Sequence, residues 1–319
     1  MAQFNNLIQV ITHFADEVVA TEHLIQMRWN GNITCVHCNH DKIYTLKGAT
    51  KRFKCAGCRK QFSATKGTIF ENSAIPLQKW FAAVYILTSH KKGISSHQLA
   101  KDISITQKSA WFVLQRVRFA LKSGSFNYTS TDTIQCDETY VGGKEKNRHQ
   151  GKTDKVERML SRRAQGLPMK AKAGAAEKTA VFGMIVTGGM VKAEVVQNTT
   201  TETLTGIIEK NIQPGITIVT DDYKSYRKLQ QNYTHKSVNH SKGQYCKNGF
   251  HTNGIENFWS IFKRGIIGIY HQVSDKHLDK YIDEFEFRFN NRKCTEANRF
   301  DKMLSLCNTR LTYAQLIAE

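Results

Sequence analysis

The sequence predicts a multidomain chain of the α+β and α/β classes: a small metal-stapled module, a helical segment, and a mixed-sheet domain. Three observations carry this reading. Two Cys-x2-Cys pairs near the N-terminus are separated by sixteen residues. Residues 76–123 hold apolar positions at helical spacing. From Thr133 onward, apolar segments in hairpin order give way to alternating strands and helices, the pattern of a mixed sheet with a parallel half.

Residues 1–28 come first, with Phe4, Leu7, Ile8, Ile11, Phe14, Val18 and Val19 at a spacing that predicts one amphipathic helix. Residues 29–66 change to short alternating stretches around Cys35, Cys38, Cys55 and Cys58. Four thiolates about 2.3 Å from one ion complete a tetrahedral Zn²⁺ site, closed and therefore structural. His37 and His40 are rival ligands, and Trp29, Tyr44, Phe53 and Phe62 are expected to fill the core of this ribbon. Arg52, Lys54, Arg59 and Lys60 are placed to meet phosphates.

Residues 67–128 read as three helices. Pro76 suits the start of the first, Ser95 caps the second and Thr106 opens the third, with Trp111 and Leu114 facing inward. The last two have the form of a helix-turn-helix, which would turn Thr106, Gln107, Lys108 and Ser109 toward a DNA major groove. A plain three-helix bundle has the same pattern.

Residues 129–319 form the third domain. TIQCDETYV alternates as a strand, and TAVFGMIVTGGMVKAEVVQ reads as a hairpin turning at Gly188-Gly189. A helix near 201–211, the strand ITIVT, a helix near 223–231, a strand near 233–238 and a long helical tail after Asn253 follow. Residues 144–178 interrupt this order with eleven Lys/Arg against four Asp/Glu. They predict an exposed basic loop, either a solvated insertion or a DNA grip through Lys144, Lys146, Arg148, Arg162 and Arg163.

The 319 residues carry 46 Lys and Arg against 27 Asp and Glu, a net charge of +19 that points to a polyanionic partner. No apolar run reaches the length of a membrane span. The N-terminus lacks the pattern of a secretory signal, which predicts a cytoplasmic, nucleoid-associated protein with free or metal-bound thiols.

Three acids stand out against this basic background. Asp137 points away from the face of its strand that carries Ile134 and Cys136, and Glu138 is its rival. Asp221 follows the apolar run ITIVT at a strand's C-terminal end, where ligand groups collect in open sheets, and Asp222 is its rival. Glu256 opens a helix, either as the N3 partner of an Asn253 cap or as a third metal ligand sharing a face with Lys263, seven residues on. His251, Asn253 and Arg264 flank it as candidate DNA contacts.

The segments DETYVGGK, TDDYKSY and HTNGIENFWSIFKRGIIGIYHQVSDKHLDKYIDEFEFRFNNR closely resemble bacterial insertion-sequence transposases of the DDE type, in the superfamily related to the Merlin elements. Members also begin with a zinc ribbon and a helical DNA-binding segment, so the resemblance covers nearly the whole chain. It implies a ribonuclease H-like catalytic domain in which Asp137, Asp221 and Glu256 hold Mg²⁺ or Mn²⁺, with Lys263 as the accompanying basic residue. It further implies cleavage of the element's terminal inverted repeats and joining to target DNA, by a homodimer or larger assembly. A structure-selective nuclease of the same fold and a non-enzymatic zinc-ribbon regulator are the competing classes.

Overall fold

The computed structural model describes residues 4–47, 51–122, 126–142, 178–239, 246 and 249–318, in two compact units: Met1–Lys122 with Asn291–Glu319, and Ser123–Asn290. The expected third domain, 129–319, therefore ends earlier in space than in sequence, because residues 291–319 group with the N-terminal segment.

In the first unit the expected single N-terminal helix is two: α1 (Leu7–His13) and α2 (Glu17–Trp29). Apolar spacing runs on through the break, but Asp16 accepts a hydrogen bond from the Val18 N–H and restarts the chain as an N-cap. Phe14, at the break, is buried against Phe81 and Phe300, with ring centroids 4.8 and 5.9 Å away. Strands β1 (Ile43–Leu46), β2 (Arg52–Cys55) and β3 (Gln61–Ser63) form an antiparallel ribbon. Its core holds Trp29, Phe53 and Phe62 with Cys35, Cys55 and Cys58; Tyr44, expected there, is 52% exposed, because it shares the outer face with Lys54, its register partner.

Helices α3 (Leu77–Ser89), α4 (Ser96–Asp102) and α5 (Gln107–Ala120) follow, with Ser95 and Thr106 accepting from the N–H groups of Gln98 and Ser109 as caps. Leu99, Ala100 and Leu114 are buried, whereas Trp111 is only half-buried.

The second unit holds a five-stranded sheet in the order β6-β5-β4-β7-β8, from β4 (Thr133–Val141), β5 (Thr179–Val186), β6 (Val191–Val196), β7 (Thr217–Asp221) and β8 (Thr234–Val238). β4, β5 and β6 are antiparallel neighbours, whereas β7 runs parallel to β4, and β8 to β7. β5 sits between two strands and under both layers, so it is apolar almost throughout. The hairpin turns at Gly188, whose φ of 72° suits a residue without Cβ.

One sheet face packs Ile134, Cys136, Phe182 and Ile218 against Leu204 and Ile208 of α6 (Thr201–Asn211). The other packs Val181 and Ile185 against Ile255, Trp259 and Phe262 of α7 (Asn253–Gly265) and Ile282 and Phe285 of α8 (Leu278–Asn290). The segment expected as a helix near 223–231 is a 3-10 helix, Lys224–Gln231, and a π-helical turn, Ile266–Tyr270, interrupts the helical tail after α7. Helices α9 (Glu296–Ser305) and α10 (Tyr313–Ala318) belong to the first unit, where Phe300 lies 5.2 Å from Phe4 and 5.4 Å from Phe81.

Candidate functional site

The ribbon's metal module is built from two matched knuckles. In the first, the Cys35 N–H donates to the His40 carbonyl, the His37 N–H reaches Cys35 Sγ at 3.4 Å, and Asn39 takes φ 61°. In the second, the Cys55 N–H donates to the Lys60 carbonyl, the Cys58 N–H reaches Cys55 Sγ at 3.5 Å, and Arg59 takes φ 59°. The sulfurs of Cys35 and Cys58 lie 3.6 Å apart, as do those of Cys38 and Cys55, and all four are within 4.8 Å of one another. A tetrahedron with Zn–S bonds of about 2.3 Å has edges of about 3.8 Å, so the thiols fit a structural Zn²⁺. His37 and His40 are outside this cluster; the His40 Nδ1 accepts from the Lys42 N–H.

The acids come together in the second unit, on the α7 face of the sheet. The parallel register pairs Gln135 with Val219, and Asp137 and Asp221 each lie two residues further along these neighbouring strands, toward the same end of the sheet. Burial raises the Asp137 carboxyl to about 7, the Asp221 and Glu256 charges add to the rise, and Lys263 opposes it. Asp221, Glu256 and Lys263 therefore each act electrostatically on Asp137, although the four come from three elements. The Asp221 Oδ1 accepts from the Tyr223 N–H at 3.0 Å. Asp222 is exposed and accepts from the Asn239 amide at 2.8 Å, so its carboxylate is engaged elsewhere.

Glu138 lies on the opposite sheet face, beside the buried Tyr226 hydroxyl but outside hydrogen-bond geometry with it. Burial first, with Asp221 and Asp137 reinforcing it, lifts Glu138 to about 7 as well.

Helix α7 carries the other half of the site. Its N-cap is Thr252, not Asn253, which stands exposed at the first helical position. The Thr252 hydroxyl donates to Glu256 Oε1 at 2.6 Å, which replaces the expected capping pair. Glu256 and Lys263 share the exposed edge two turns apart, with Arg264 beside them donating to the Ser260 carbonyl. His251 is half-buried, its Nδ1 3.5 Å from the Gln135 amide.

The helix lies close to the sheet because Gly183, the register partner of Asp137, has no side chain; a Cβ there would stand 2.6 Å from the Trp259 ring. The glycine inside TAVFGMIV was the sequence signal for that close approach.

In the helical segment, Thr106, Gln107 and Lys108 are exposed and Ser109 is half-buried. Gln107 donates to Ser96 Oγ, Thr106 bonds Ser109, and Lys108 lies 5.8 Å from the Tyr313 ring centre. Lys144, Lys146, Arg148, Arg162 and Arg163 lie outside the described residues. Among the described residues no helix is long and apolar enough to cross a membrane.

A zinc ribbon together with a mixed-sheet domain defines a zinc-binding class of protein, and comparison with known proteins narrows it. Residues 130–290 match the ISXO2-like transposase domain, and residues 15–61 match the transposase zinc-ribbon domain. The first match spans half the chain, and the chain belongs to the ISXO2-like transposase family. It is 28% identical over 284 residues to an uncharacterized protein in the transposable element ISH50 of Halobacterium salinarum, covering 87% of this chain and 92% of that protein. It is 35% identical over 98 residues to an uncharacterized transposase-like protein of Haemophilus influenzae, covering 30% of this chain and 78% of that protein. Family membership makes transposition the process in which the chain acts, with DNA as its partner.

Proposed function

We propose that this chain is a transposase that cuts the ends of a mobile DNA element and joins them to target DNA. The carrying observation is the electrostatic meeting of Asp137, Asp221, Glu256 and Lys263. Carboxylate oxygens are hard ligands suited to Mg²⁺ or Mn²⁺, and a carboxyl lifted to about 7 by burial and its neighbours marks a surplus of negative charge that a cation would relieve. The strand order, with its antiparallel half β4–β6 and parallel half β7–β8, supports the ribonuclease H-like reading.

Asp137, Asp221 and Glu256 would hold the ions. When bound, these supply Lewis acidity toward the attacking water or 3′-hydroxyl and toward the leaving oxygen. Thr252 orients the Glu256 carboxylate through its 2.6 Å bond, and the Tyr223 N–H orients Asp221 at 3.0 Å. Lys263, exposed on the same face, is placed to meet a phosphate oxygen.

The ribbon and the helix-turn-helix of α4 and α5 would recognise the terminal inverted repeats, with the first turn of α5 and the basic segment 144–178 meeting DNA. Joining two ends calls for a dimer or larger assembly.

The test is cleavage of a labelled element end with Mg²⁺ or Mn²⁺, followed by joining of a pre-cut 3′ end. Asp137→Asn, Asp221→Asn and Glu256→Gln are expected to lose about a thousandfold or more in cleavage, the scale of several kcal/mol of charge stabilisation. Retention of cleavage by all three variants overturns the site, and cutting without joining leaves a nuclease instead.

A further inference from the structure

We propose that Gln135 is the positioning residue of this site: a remote N-cap that sets where α7 begins and so places Glu256 against Asp137. The inference rests on the transposase reading. Gln135 is 2% exposed and lies two residues before Asp137 on the same face of β4. Its Oε1 accepts from the N–H groups of Gly254 at 2.9 Å and Ile255 at 3.1 Å, the second and third helical positions of α7.

Those are the donors that an N-cap side chain ordinarily satisfies. Thr252, which holds the N-cap position, makes no such bond, and its hydroxyl donates to Glu256 instead. Gln135 thus takes over the capping from a strand 119 residues away and leaves Thr252 to orient the carboxylate. Its Nε2 reaches Thr187 Oγ1 at 3.4 Å and His251 Nδ1 at 3.5 Å, tying the amide to the hairpin and to the approach of α7. The fit is close at Gly254, where a Cβ would stand 2.7 Å from Gln135 Oε1. Two N–H groups aimed at one atom also fix which end of the amide is the oxygen.

Gln135→Met keeps the shape and removes the acceptor, while Gln135→Glu keeps an acceptor. In metal-free protein, Gln135→Met is expected to speed hydrogen exchange at the Gly254 and Ile255 amides by about tenfold or more, and Gln135→Glu to restore their protection. Binding of Mn²⁺ alone, read by electron paramagnetic resonance, is expected to weaken about tenfold in Gln135→Met. Its kcat for end cleavage falls, while KM for the DNA stays at the wild-type value. Wild-type exchange at those amides, or wild-type Mn²⁺ affinity and kcat, in Gln135→Met overturns the proposal. If wild-type protein itself neither binds Mn²⁺ nor cuts DNA, the transposase reading fails, and the exchange measurement still decides the capping role.

Discussion

At the scale of single residues, what distinguishes the two candidate second acids is their surroundings. Asp221 acts on Asp137 across the sheet, whereas Asp222 is turned to Asn239. Asp222→Asn is therefore expected to change end cleavage by less than about threefold, the range of an exposed surface substitution, against the large loss for Asp221→Asn; equal losses in that assay would reverse the assignment. The raised carboxyls give a second prediction. In metal-free protein Asp137 and Glu138 each titrate at about 7, against about 4 in an unfolded chain. Between those values the folded state binds more protons than the unfolded one, so stability falls as pH rises through the window and levels off above it. The metal-free melting temperature is expected to be higher at pH 6 than at pH 8, with a shallower dependence in Asp137→Asn. Mg²⁺ should raise the melting temperature more at pH 8, where protons no longer compete for the ligands. The placement of Asp137 within a strand and of Asp221 at a strand's end was legible in the sequence, because strand alternation and strand ends are local patterns. Gln135 was not, since its hydrogen bonds join residues 119 and 120 positions apart.

At the scale of elements, the site depends on how tightly α7 lies on β5. Gly183→Ala would put a Cβ 2.6 Å from Trp259, and the partners there are a ring and a packed helix. Overpacking of this kind costs about 1–3 kcal/mol, and relief by a shift of α7 would carry Glu256 away from Asp137. The variant is expected to melt lower in a thermal scan and to lose Mn²⁺ affinity together with cleavage; loss of stability with Mn²⁺ binding intact would mean that the helix does not move. The strands, the hairpin and the zinc knuckles could be read from sequence because each has a short-range period or spacing. The break between α1 and α2 was missed although Asp16 is a local N-cap, because Phe14 keeps the apolar spacing running through it. The N-cap of α7 was misplaced by one residue for a different reason: the bonds that replace a local cap come from another strand. The zinc knuckles also carry a prediction. Cys55→Ser leaves three thiolates in a cluster built for four, so zinc content is expected to fall well below one ion per chain, and binding of element ends with it.

At the scale of the whole molecule, a chain with a net charge of +19 carries a cluster of acids in its sheet domain. On the proposed function the basic surplus would hold DNA and the acids would act on it, so the two functions should separate in salt. The ribbon offers one well-defined basic face: Arg52 and Lys54 are exposed on β2, and Tyr44 stands beside Lys54 in the register. If these residues contact phosphates, each contact adds about 0.9 to the slope of log affinity against log salt concentration. Arg52→Gln with Lys54→Gln is expected to flatten that slope by about two contacts' worth and to weaken binding alike for end sequences and unrelated DNA. Zinc content should be unchanged, because neither side chain is a ligand. On the proposed function Asp137→Asn should leave the slope alone while abolishing cleavage, since it removes an anion from the acid cluster and no cation from the basic surface. A filter-binding titration from low to moderate salt on the two variants checks both halves: an unchanged slope in the ribbon variant would move the DNA-holding charge to other basic segments of the chain.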